Sequence, residues 1–123
     1  MERINKISED PVIYIIDYSN LKEDNMIGLV GKLSEEVKKA NQLVCILSIF
    51  NDKSYVTPRF MRSVEAITRE VQDLIQGQAV VGLNATKKII LKGYNLMFQQ
   101  DIRNFETVPE AIEYLKMTSS KKL

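Results

Sequence analysis

Apolar positions along this chain alternate between two patterns. Short apolar runs, rich in β-branched residues, occur at Val12–Ile16, Leu43–Phe50, Ala79–Leu83 and Ile102–Phe105. Runs of that length between turn signals predict strands covered on both faces. Between them, apolar residues recur at spacings of three and four. Met26, Leu29, Val30, Leu33 and Val37 make one stripe within Lys22–Ala40. Met61, Val64, Ile67, Val71 and Leu74 make a second. A third helix follows Asn84, and a fourth carries Ala111, Ile112 and Leu115. Each stripe predicts a helix laid on a sheet.

The order β-α-β-α-β-α-β-α predicts an α/β fold of four β-α units, its strands parallel and joined by right-handed crossovers. Residues 1–10 read as an edge strand or a loose end, so the mostly parallel sheet has four or five strands. Residues 118–123 read as a mobile tail. No linker or low-complexity segment divides the chain, and 123 residues suit one domain.

Local chemistry marks the ends of these elements. Thr57-Pro58 opens the second helix, with threonine as N-cap and proline at the first helical position. Asn84 is the N-cap of the third. Thr107 and Glu110 match a capping box ahead of the fourth. Gly77 is expected to end the second helix, since glycine reaches the left-handed cap conformation at little cost. Glu23 and Asp24 in the first turn of the first helix, and Lys38 and Lys39 in its last, suit the helix dipole.

The third helix carries two apolar stripes. Ile89, Ile90, Gly93 and Met97 are expected to face the sheet. Leu91, Tyr94 and Phe98 recur on a neighbouring face. That second stripe reads either as a widened core face or as a partner or ligand surface.

Composition narrows the function. Seventeen basic and sixteen acidic residues leave a formal charge of +1, which gives no basic footprint for nucleic acid. Lys87, Lys88 and Lys92 read as a solvated helix face. With one cysteine and no histidine, the chain has no intramolecular disulfide, no zinc site built from Cys and His, and no Ser–His or Cys–His nucleophile. Cys45 reads as a buried core thiol. The expectation is no metal, no cofactor and no catalysis. No run reaches membrane-spanning length and the first residues are not those of a signal peptide, so a cytoplasmic protein is expected.

In parallel sheets, ligands bind beyond the C-terminal ends of the strands. Those ends carry the candidate site residues Asp17, Tyr18, Asn51, Asp52, Ser54, Thr57, Asn84 and Thr86. Each also has a plain structural reading. Asp17 would hydrogen-bond its own loop, Tyr18 and Tyr94 would sit at an amphipathic rim, and Thr57 and Asn84 would serve only as caps. A receiver-like phosphoacceptor at Asp17 and Asp52 fits poorly, because Asp17 is followed by Tyr18 and four β-α units are present rather than five.

Three stretches together carry a family likeness: Ile16–Ile27, Val80–Ile90 and Asn104–Leu115. Over most of its length, from about Val12 to Leu115, the chain resembles short bacterial proteins of the STAS-like, anti-sigma-factor-antagonist-like superfamily. The branch is often labelled STAS or lipid-transfer (CRAL-TRIO) domain-containing. The resemblance implies a STAS-like α/β domain and a regulatory or protein-interaction role without catalysis, through a protein partner or self-association. A small apolar ligand is the alternative that the family label implies. In the anti-sigma antagonists a serine at the start of a helix is phosphorylated. The matching region, Asn51–Pro58, lacks their Asp-Ser-Ser-Gly pattern and offers Ser54 and Thr57 as the hydroxyls for a phosphorylation-controlled switch.

Overall fold

The computed structural model describes residues 2–121, the last two by backbone alone. A five-stranded sheet has the order β1 (Ile4–Glu9), β2 (Val12–Asp17), β3 (Val44–Ile49), β4 (Ile75–Val81) and β5 (Arg103–Phe105). β1 pairs antiparallel with β2, and the remaining neighbours are all parallel. The N-terminal segment is therefore an edge strand, turned back through Asp10–Pro11 with a register shift between Lys6 and Ser8.

Four helices cover the sheet: α1 (Glu23–Ala40), α2 (Pro58–Arg69), α3 (Ala85–Phe98) and α4 (Val108–Lys121). Strands that follow one another across the sheet in chain order, joined by crossovers of one hand, put the crossover helices on one face. The core divides accordingly. Val12, Tyr14, Ile16, Val44 and Ile46 pack under α1 and α2. Val80 packs under Leu91 and Tyr94 of α3. On the opposite face Ile13, Cys45, Leu47, Ala79 and Val81 meet Ala111 and Leu115 of α4. Side chains alternate along each strand, so both faces are apolar and both are covered.

The helix starts follow the local chemistry. The Thr57 hydroxyl accepts from Phe60 N at 3.1 Å, and the Asn84 side chain accepts from Lys87 N at 2.9 Å. Thr107 accepts from Glu110 N at 3.3 Å and donates to the Glu110 carboxylate at 2.8 Å.

Three expectations need correction. α2 stops at Arg69, a 3₁₀ turn follows at Gln72–Leu74, and β4 begins at Ile75. Gly77 therefore lies inside a strand and does not cap the helix. A Cβ there would stand 3.3 Å from Leu115 Cδ2, so glycine here lets α4 lie close on the sheet. The expected tail at 118–123 is helical as far as Lys121. Ser119 is buried and its hydroxyl donates to Leu115 O at 2.9 Å, with Cys45 Sγ at 3.2 Å. Residues 122 and 123 lie outside the described residues.

The third correction concerns the rotation of α3. Its inner stripe is Lys87, Leu91, Tyr94 and Phe98, with the first three buried. Phe98 is half-buried against the same cluster, its ring 4.8 Å from that of Tyr94. The expected sheet-facing residues Ile89 and Met97 are 73% and 75% exposed, and Leu96 beside them is 76% exposed. The candidate interface Leu91, Tyr94 and Phe98 is thus core. The two stripes are about equally apolar, so packing against Val80 and Ile102 decides the rotation, not periodicity.

Candidate functional site

Phe50, Asn51 to Thr57, and Gly82 to Asn84 come together beyond the C-terminal ends of β3 and β4. The backbone is tight here: Phe50 N donates to Val81 O at 2.9 Å. Gly82 sits at φ +91°, and a Cβ there would fall 1.9 Å from Phe50 O. Only glycine fits that approach.

Most of the candidate loop residues are occupied in holding this end together. Asp17 Oδ1 accepts from Ser19 N at 2.9 Å, as a strand-end aspartate bonding its own loop should. Asn51 Oδ1 accepts from Asn20 N at 3.0 Å and from Lys53 N at 3.1 Å, while its Nδ2 donates to Asn20 Oδ1 at 2.9 Å. Asn84 Nδ2 donates to Asp52 at 3.1 Å. Thr86 is exposed on the outer side of α3.

The two hydroxyls considered for phosphorylation are also engaged. Ser54 is buried, donates to Tyr18 O at 2.9 Å and accepts from Asn51 N at 3.1 Å. Thr57 caps α2 and donates to the Glu23 carboxylate. Arg59 pairs with Glu23 at 2.6 Å and with Asp24 at 2.7 Å. A phosphate on Thr57 would be driven against these two carboxylates. The Thr57 hydroxyl first, and then Arg59, hold the Glu23 carboxyl below the ordinary carboxylate range.

Tyr18 departs most from its expected place. It is no rim residue: it is 3% exposed. Its ring stacks on Phe50 at 5.0 Å and meets Phe60 edge-on at 5.4 Å. Its hydroxyl has no hydrogen-bond partner among the described residues, and burial pushes the phenol well above its ordinary range.

That ring forms part of a cleft between α2 and α3. Phe60, Met61 and Val64 wall one side, and Lys87, Ile90, Leu91 and Tyr94 the other. Val56 and Leu83 border the end where both helices begin. The floor is Ser48 and Phe50 of β3 with Gln78 and Val80 of β4. Its interior volume is about 60 Å³, several times the 10–15 Å³ that one water needs by the same kind of measure. Strands buried on both faces should read as continuous apolar runs, yet Ser48 and Gln78 occupy inward positions on adjacent strands. Neither side chain has a hydrogen-bond partner among the described residues. An apolar wall with a few unpaired polar groups at its base is the usual make-up of a small-molecule site.

Ser48, Gln78 and Lys87 line the cleft without a motif that marks them in the sequence. Ser48 and Gln78 were visible as polar breaks in or beside apolar runs, but only the register, which pairs Ile46 with Gln78 and Ser48 with Val80, brings them together. The pattern of Lys87, Lys88 and Lys92 predicts a solvated face. Lys87 is buried instead, at the head of the inner stripe.

Among the described residues, no group of three or more His, Cys, Asp or Glu side chains is placed to hold a metal ion, and no helix is long and apolar enough to cross a membrane. Comparison of the chain with protein-family models, with curated proteins and with solved structures finds no match.

Proposed function

We propose that this chain is a non-enzymatic regulatory module of STAS-like type that binds a small, largely apolar ligand in the cleft between α2 and α3. The observation that carries the reading is the cleft itself, which leaves the Tyr18 hydroxyl, Ser48 and Gln78 unpaired beneath apolar walls. These groups are free to hydrogen-bond a ligand that enters the cleft. The resemblance of Ile16–Ile27, Val80–Ile90 and Asn104–Leu115 to the STAS-like branch agrees with a binding role.

The test is amide-resolved NMR of the whole chain against a library of small apolar fragments, together with native mass spectrometry of protein taken from its own host. Fragments that shift Phe50, Leu83 and Tyr94 are expected, and Ser48→Leu, which fills the floor, abolishes those shifts. A library in which nothing perturbs the cleft would overturn the reading.

A second reading, as a self-associating module, is favoured by the outer face of α3. Ile89, Leu96 and Met97 stand in solvent there with uncharged Thr86 and Gly93 among them. The occupant this face suits is a second copy of the chain. The stripe itself is uncharged with Lys92 at its border, and a net charge of +1 adds little overall repulsion between copies. Sedimentation equilibrium decides it: a dimer that Leu96→Glu converts to monomer supports the contact, and a wild-type monomer at high concentration refutes it.

A further inference from the structure

The cleft contains a charge that its own walls leave unbalanced. Lys87 is 8% exposed and lines the cleft. Its Nζ donates to Asn51 O at 2.9 Å. A carbonyl takes one of the three N–H groups of an ammonium and supplies no counter-charge. Among the described residues no carboxylate stands within ion-pairing distance of Lys87. The nearby acids are turned to other partners: Asp52 accepts from Asn84 and Glu106 pairs with Lys88 at 3.3 Å. A part-buried ammonium that faces an apolar cleft without an anion is one that a bound anion would stabilise.

The surroundings set the sign and kind of the missing partner. Tyr18, Ser48 and Gln78 offer hydrogen bonds but no charge, so charge recognition falls to Lys87. The first turns of α2 and α3 both border the cleft, through Phe60 and Lys87. Helix N-termini favour an anion. The walls are apolar and aromatic, which suits an organic body rather than free phosphate. One ammonium balances one negative charge.

We propose that the cleft takes a small amphiphilic monocarboxylate, its apolar body between Phe50 and Tyr94 and its carboxylate on Lys87 Nζ. This rests on the reading of the cleft as a ligand site and specifies the ligand's chemical class. With two N–H groups left over, Lys87 holds the carboxylate while keeping its bond to Asn51. The interior volume of about 60 Å³ encloses only a short apolar segment, so a ring or any longer part lies in the open mouth.

The experiment compares two probes of one skeleton, 3-phenylpropanoate and 3-phenylpropan-1-ol, by calorimetry and amide-resolved NMR on the full chain. The acid is expected to bind about tenfold tighter than the alcohol, the size of one charge-assisted hydrogen bond. Both are expected to shift Phe50, Lys87 and Tyr94. Lys87→Met should remove the preference for the acid over the alcohol, while Lys87→Arg should retain it. The wild-type comparison stands even where Lys87→Met fails to fold. Equal affinities at the cleft would overturn the carboxylate assignment and leave the ligand site intact. If neither probe perturbs the cleft, both the assignment and the site fall.

Discussion

Tyr18→Phe is the substitution that best separates a hydroxyl kept for binding from one kept for folding. The ring remains, with its stack on Phe50 at 5.0 Å and its edge contact with Phe60 at 5.4 Å. Only an oxygen with no partner among the described residues is removed. Mutational data put a buried unpaired hydroxyl at roughly 1–3 kcal/mol of lost stability. The cleft admits some solvent, so the low end applies, and the variant should be about 1 kcal/mol more stable than the parent. With a urea m-value of about 2 kcal/mol/M, that is a midpoint raised by about 0.5 M. Thermal melting should rise by about 4 °C for a domain of this size. A midpoint that falls by the equivalent of about 1 kcal/mol or more would show that the hydroxyl makes a stabilising hydrogen bond, and the cleft would lose one of its unpaired groups.

The same substitution has a pH signature. Burial lifts the Tyr18 phenol above its ordinary 10.0, so the folded chain keeps a proton that the unfolded chain releases. The resulting stability is complete below pH 10 and is lost as the pH climbs beyond it. The slope is at most about 1.4 kcal/mol per pH unit for one such group. Tyr94, raised by its own burial and then by the charge of Glu65, adds a second contribution. Tyr18→Phe should therefore flatten the alkaline limb of a stability–pH curve without removing it. An unchanged limb would mean that Tyr18 ionises as freely folded as unfolded.

Other substitutions test the remaining steps. Gly82→Ala should destabilise the fold by about 3 kcal/mol or more, since it combines a left-handed φ with a backbone collision at Phe50 O; a near-parental urea midpoint would show that the turn relaxes. Leu91→Ala should cost about 2–4 kcal/mol, and Leu96→Ala should stay within about 0.5 kcal/mol in a monomer; the reverse order would restore the expected rotation of α3. Glu23→Gln should flatten the acid limb. The Glu23 carboxyl is held below its ordinary 4.5, so its contribution is present above that pH and fades as the pH falls through the lowered folded value. Thermal melts between pH 7 and pH 3 read it, and an identical acid limb would show that the Thr57 and Arg59 contacts do not persist in solution.

Local chemistry was the part of this fold most open to reading. The runs at Val12–Ile16 and Val44–Leu47 are apolar on both faces, so they announce strands without any tertiary knowledge. Thr57-Pro58, Asn84 and Thr107 with Glu110 announce helix starts because the capping partner is only three residues away. What stayed illegible needed a distant partner. Ile75–Gln78 is polar and contains a glycine, which reads as a helix end until Leu115 is seen to press on Gly77. Ser119 looks like tail until Cys45 and Leu115 O lie beside it. In α3 both faces satisfy the helical period, and nothing within fourteen residues says which one meets Val80. The candidate loop lies beyond the strand ends, and its side chains mostly bond one another. The open cleft beside it depends on sheet register.

Several of the rules that this sequence breaks are broken around one cleft. A buried strand carries Ser48 and its neighbour carries Gln78, a helix turns Lys87 inward, and an aromatic core contains the unpaired hydroxyl of Tyr18. Each would be a minor irregularity alone. Natural sequences concentrate such inconsistencies where function outweighs stability. The remaining buried polar side chains show the contrast. Ser54 and Ser119 are hydrogen-bonded within the fold. Ser34 is buried without a partner but does not line the cleft. Four departures, three neutral and one cationic, converge on one half-open space. They follow at once if the space is meant to be occupied by a molecule that brings an apolar body and a single negative charge.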